Sequence, residues 1–175
     1  MLRRFIEAET MEKIALFEKV SRAQYIADLN VPIEDGADGY DAVELPVRAT
    51  AGSAGYDIKT PLPIRLAPGE SLRVATGLRC RIADGWVLAV FPRSGLGFRN
   101  RLQLDNTVGI IDSDYYGADN EGHIIIKITN DSHEGRVLEL SAGKAFAQGI
   151  FLPFGITEDD NASGSRVGGF GSTNS

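Results

Sequence analysis

Apolar and polar positions alternate with a period of two over much of the chain from Leu45 onward. Leu72, Val74 and Thr76 alternate with Arg73 and Ala75, and Leu78, Cys80 and Ile82 alternate with Arg79 and Arg81. Ile124, Ile126 and Ile128 alternate with Ile125, Lys127 and Thr129. That spacing turns one face of each segment toward a core and predicts strands. Trp86 to Phe91 is continuously apolar, which predicts a strand covered on both faces. Turn-forming triplets at Ala67-Pro68-Gly69, Ala83-Asp84-Gly85 and Ser141-Ala142-Gly143 separate the runs. Short strands at these intervals predict an all-β sandwich or barrel.

Ahead of the strands, the pattern is different. Glu12 to Val20 reads as a short strand, and Ser21-Arg22-Ala23-Gln24 fits a capping box. There the serine hydroxyl and the glutamine side chain would satisfy backbone N–H groups at a helix start. Tyr25, Ile26 and Leu29 extend that helix to about residue 29. Residues 34–41, EDGADGYD, read as an acidic surface loop. The periodicity ends after Pro153, and EDDNASGSRVGGFGSTNS is too polar and glycine-rich to build a core. The expected organisation is an extension over 1–10, a β domain over 11–160 and a mobile tail over 161–175.

Composition narrows the function. The 175 residues carry 18 Lys+Arg against 24 Asp+Glu, a net charge of −6. That argues against stable nucleic-acid binding and against a basic membrane-surface protein. An anionic ligand would need a local basic site or a metal. One cysteine, Cys80, permits no internal disulfide and suggests a reducing, cytoplasmic setting. Two histidines, His123 and His133, make a His/Cys metal centre improbable and read as surface or sheet residues. The N-terminus lacks the apolar core of a signal peptide, and no stretch reaches the ~18 apolar residues of a membrane span.

Five polar islands interrupt the β pattern. Ala51-Gly52-Ser53-Ala54-Gly55-Tyr56-Asp57 combines small residues with a carboxylate. Pro92-Arg93-Ser94-Gly95-Leu96-Gly97 offers a guanidinium, a hydroxyl and free amides, the donors that phosphate oxygens need; it also fits an ordinary turn. Asn106 to Gly117 (NTVGIIDSDYYG) places two carboxylates after an apolar run, beside aromatics. Such carboxylates can activate water or bind metal. Gly143 to Gln148 (GKAFAQ) leads into the last core strand. Arg166 to Thr173 (RVGGFGST) has a cation, glycines and two hydroxyls, but lacks the P-loop spacing.

In order and spacing, these islands closely resemble the five motifs of the trimeric dUTPase family: A-G-Y-D, P-R-S-G, G-x-I-D-x-D-Y, G-x-x-x-A-Q and G-G-F-G-S-T. The resemblance spans Ala51 to Thr173. It implies a jelly-roll-like β-barrel or sandwich with one or two short helices, assembled as a homotrimer with shared active sites. It implies hydrolysis of dUTP to dUMP and pyrophosphate, with Mg²⁺ held mainly by the substrate phosphates and supported by Asp57, and no direct protein metal site. Carried over by motif, Asp112 is the base, and Asn106, Gly109, Ile111 and a glycine at Gly117 or Gly122 face uracil. Tyr115 packs on deoxyribose and Phe170 covers the base. Arg93, Ser94, Gly95, Gln148, Arg166, Gly171, Ser172 and Thr173 meet the phosphates.

The chain departs from the family pattern in three places. Ala145 stands where the family commonly has arginine, one residue rather than two separates Arg166 from Gly168, and Gly117 to Glu121 looks like an insertion. Two other readings use the same fold. A dCTP deaminase would need a catalytic glutamate where this chain has Lys127, and a second serine where it has Gly95. A regulatory protein-binding role would use the insertion and the acidic loop as contact surfaces.

Overall fold

The alternating runs fold as short antiparallel strands. The computed structural model describes residues 11–29, 38–164 and 168. In chain order the elements are β1 (Ala15–Lys19), α1 (Arg22–Asp28), β2 (Val47–Arg48), β3 (Tyr56–Lys59), β4 (Ile64–Leu66), β5 (Ser71–Ala75) and β6 (Leu78–Ile82). They continue with β7 (Trp86–Pro92), α2 (Ser94–Asn100), β8 (Leu102–Leu104), β9 (Gly109–Ile111), β10 (Ile125–Asn130), β11 (Leu138–Leu140) and β12 (Ala145–Pro153). The largest sheet has the order β2-β3-β12-β7-β9, and a second has the order β5-β10-β8. Two pairs, β1-β6 and β11-β4, complete the layers, and no closed barrel forms among the described residues.

Burial follows the sequence pattern. Leu88, Ala89 and Val90 are consecutive and buried, so β7 is covered on both faces as its apolar run predicts. Phe17, Tyr25, Ile58, Leu88, Ile124, Ile128 and Phe146 belong to one core cluster that also takes in β1 and α1. Each large apolar side chain buried there contributes about 1.5–3 kcal/mol of transfer free energy. No helix among the described residues is long and apolar enough to cross a membrane.

Three local expectations change. The strand read from Glu12 begins at Ala15. The capping box is half formed: Ser21 Oγ accepts from the Gln24 N–H at 3.1 Å, but the Gln24 side chain donates to Asp28 Oδ2 at 2.8 Å. Glu121 takes the other half, accepting from both Ser21 N–H and Ser21 Oγ at 2.7 Å. A carboxylate is the stronger acceptor at a helix start, because it meets the partial positive charge there. Finally, Ser94–Asn100 is a helix rather than a turn, held by the Arg93 carbonyl, which accepts from the Leu96 and Gly97 N–H groups at 3.0 Å.

Candidate functional site

Three of the five islands meet on adjacent strands. Gln148 on β12 lies opposite Asp57 on β3 and opposite Phe91 on β7. Arg93, one residue past β7, forms an ion pair with Asp57. The Gln148 side-chain amide donates to the Pro92 carbonyl at 3.3 Å. The Gln148 amide lies over Gly55, where a Cβ would stand 2.6 Å from its Oε1 and displace the side chain. Ser94 and Gly95 are exposed in the first turn of α2. Arg93, Gly95, Arg99 and Lys144 line a recess of about 430 Å³. Arg99 and Lys144 are cations that the motif reading did not assign, although Lys144 lies inside the fourth island.

The third island helps to build a different recess, of about 370 Å³, beside the β8–β9 connection. Gly109 pairs with Val90, and its Cβ would stand 3.2 Å from the Val90 Cβ. Asn106 is exposed in the turn between β8 and β9, where Thr107 takes a φ of +66°. Val90, Leu104, Ile111 and Ile126 form the apolar wall, with Asn106 and Gly109 from the β8–β9 segment. Asp105 pairs with Lys127 at 2.7 Å, and its hydrogen bonds from Lys127 and then Thr129 hold the carboxyl below the usual range.

Asp112 follows β9, and its carbonyl accepts from the Tyr115 N–H at 3.2 Å at the start of a 3₁₀ turn over Ser113–Gly117. Tyr115 is buried; its hydroxyl donates to the His123 carbonyl and accepts from Asn120 Nδ2, both at 2.8 Å. Of the two candidate glycines after Tyr115, Gly122 is the constrained one. Its φ is +68°, and a Cβ would stand 2.7 Å from the Tyr115 carbonyl oxygen, whereas nothing lies within 4 Å of one built on Gly117. Phe170, Arg166, Gly171, Ser172 and Thr173 lie outside the described residues.

The two recesses share no lining residue. Both hang on β7, with Val90 in the wall of the apolar one and Arg93 at the cationic one. A sequence model of the dUTPase family matches residues 41–174. The chain belongs to the dUTPase family. It is 40% identical over 134 residues to the deoxyuridine 5'-triphosphate nucleotidohydrolase of Lactococcus lactis subsp. lactis, covering 75% of this chain and 88% of that one. The enzyme of the same name from Shigella sonnei is 41% identical over 135 residues, covering 73% and 85%. The crystal structure of the Streptococcus mutans dUTPase superposes with a TM-score of 0.62 at 32% identity, covering 81% of this chain and 98% of that one. A dUTPase from phage phi11 of S. aureus, at 19% identity and TM-score 0.61, shares the fold and coordinates a structural Mg(II) ion.

Against the dUTPase pattern, Ala145 leaves a gap in positive charge beside the cationic recess, and Lys144 and Arg99 line that recess. The segment Gly117 to Glu121, read above as an insertion, is tied into the fold through Asn120 and Glu121. Of the acidic loop, Asp38 and Asp41 turn onto Arg22. His133 is exposed, but His123 is fully buried, a placement that the spacing of polar residues did not reveal. No group of three or more His, Cys, Asp or Glu that could hold a metal occurs among the described residues. A hard cation that keeps most of its waters and takes one carboxylate plus phosphate oxygens fits Asp57 at the edge of the cationic recess.

Proposed function

We propose that this protein hydrolyses dUTP to dUMP and pyrophosphate. The register that sets Gln148 beside Asp57 and brings Arg93 to the same edge carries this reading. It gathers the first, second and fourth family motifs around one cationic recess. The Asp112 carboxylate orients a water and takes its proton as the water oxygen bonds to the α-phosphorus. The bond from the α-phosphorus to the bridging oxygen then breaks, and pyrophosphate leaves with that oxygen.

Arg93, Ser94, Gly95 and Gln148 meet the phosphates, joined by Arg166, Gly171, Ser172 and Thr173 from the tail. Mg²⁺, carried by the triphosphate and supported by Asp57, supplies neutralisation of phosphate charge. Asn106 and the backbone of residues 108–112 read the uracil edge, including Gly109 and Ile111. Cytosine would leave buried polar groups unpaired there, at a cost of about 1–3 kcal/mol for each. The left-handed, closely packed backbone at Gly122 favours it over Gly117 as the glycine beside the base. Tyr115 packs against deoxyribose, and Phe170 covers the base when the tail closes.

The separation of the two recesses within one chain supports a homotrimer in which facing subunits complete each site. A cytoplasmic enzyme of this kind would limit uracil in DNA and supply dUMP for thymidylate synthesis. Deamination is disfavoured because Lys127, paired with Asp105, is no proton acceptor. Pyrophosphate release from dUTP, dCTP, dTTP and UTP, each with and without Mg²⁺, tests the reading. Mg²⁺-dependent cleavage selective for dUTP is expected, and ammonia release from dCTP would overturn it.

A further inference from the structure

Behind Tyr115 stands a buried polar relay. His123 is fully buried, and its Nε2 accepts from the Gly77 N–H at 2.9 Å. An acceptor at Nε2 leaves the ring proton on Nδ1, which donates to Asp28 Oδ2 at 2.7 Å. Asp28 ends α1; its Oδ2 also accepts from Gln24, while its backbone carbonyl accepts from Arg73 at 2.7 Å. Glu121 caps the other end of the same helix through Ser21. The segment between Tyr115 and β10 is therefore pinned at both ends of α1, and it returns to Tyr115 through Asn120 and the His123 carbonyl.

Gly122 lets that segment approach closely, because a Cβ there would collide with the Tyr115 carbonyl. α1 is thus a splint, and its load is applied to one hydroxyl. The expectation that Tyr115 abuts deoxyribose gives this splint a purpose: the depth of the ring decides whether a ribose 2′-OH fits.

We propose that Asn120, together with the Asp28–His123 pair, positions the Tyr115 ring and thereby sets the preference for deoxyribonucleotide over ribonucleotide triphosphates. This rests on the dUTP reading above, in which Tyr115 faces the sugar. Asn120 is half-buried at the edge of the Gly117 to Glu121 segment, so Asn120→Ala removes the amide donor with little loss of packing. The kcat/KM ratio of dUTP over UTP is expected to fall about three- to tenfold, the range of one net hydrogen bond. The change should lie in a raised kcat/KM for UTP, with kcat for dUTP within about twofold of the parent, and with melting temperature and light-scattering mass unchanged.

Asp28→Ala should lower the same ratio, while Asp28→Asn, which keeps an oxygen for the His123 Nδ1–H, should restore most of it. An unchanged ratio in folded Asn120→Ala, with a dUTP-selective parent, overturns the inference and leaves the function standing. Equal loss in Asp28→Ala and Asp28→Asn overturns the role of the relay. A parent that does not distinguish dUTP from UTP overturns the reading of the sugar site and this inference with it.

Discussion

The recess beside the β8–β9 connection has buried Val90, Leu104, Ile111 and Ile126 in its wall, whereas Arg93, Arg99 and Lys144 at the α2 recess are partly or fully exposed. The first is shaped largely by side chains locked in the core, with Arg73, Asp105, Asn106 and Lys127 supplying its polar rim. The second gathers long, solvated side chains at strand and helix ends. The contrast suits the two ends of a nucleotide. A flat base is told from its relatives by a rigid frame whose donors cannot readjust, while a triphosphate is met by charges that move with it.

The contrast can be broken at its junction. Asp112 stands at the end of the rigid frame, yet its proposed work is on the phosphate. Asp112→Asn is expected to lower kcat about 10²–10⁴-fold, the range for losing a general base, with dUTP binding retained by calorimetry. Turnover near the parent's would remove Asp112 from that role. On the cationic side, Lys144→Gln should raise KM for dUTP roughly two- to fivefold, and the difference should shrink as salt is raised, because exposed charges are screened. A change in kcat, or no dependence on salt, would show that the recess is not met electrostatically.

The smallest expected effect lies behind the frame. Burial pulls the His123 pKa below its ordinary value, although the hydrogen bond to Asp28 works the other way. The unfolded chain therefore binds a proton first as pH falls through about 6.5, and stability is lost below that point. The slope from this residue is at most about 1.4 kcal/mol per pH unit. Thermal melting followed between pH 8 and 5 should show that slope in the parent and lose it in His123→Gln.

Much of this was legible. The period-two runs placed β5, β6 and β10, and continuous apolarity marked β7. What escaped reading lacked a local signal or had a misleading one. Gly95 and Gly97 are poor helix formers, so α2 forms because the Arg93 carbonyl anchors its start and Leu96 is buried. Glu121 completes the α1 cap across 100 residues of chain, a distance over which pairing leaves no periodic trace. His123 sits between Gly122 and an apolar run, and only the fold brings Asp28 and Gly77 to its two ring nitrogens. Lys144 was within reach: it stood in a quoted island whose usual arginine was missing.

β12 carries one more consequence. Its pairing with β3 steps over Phe146, a bulge between Ala145 and Ala147, and the Phe146 carbonyl accepts from the Arg93 N–H at 3.1 Å. The extra residue fixes the phase of the strand. Were Phe146 paired in the ladder instead, it would stand opposite Ile58, and Ala147 rather than Gln148 would lie opposite Asp57. β12 thus behaves as a ruler with one deliberate notch. A residue gained between Ala147 and Gln148, with the ladder held at Ala147, would move Gln148 from its place opposite Asp57 while leaving every motif residue in the sequence.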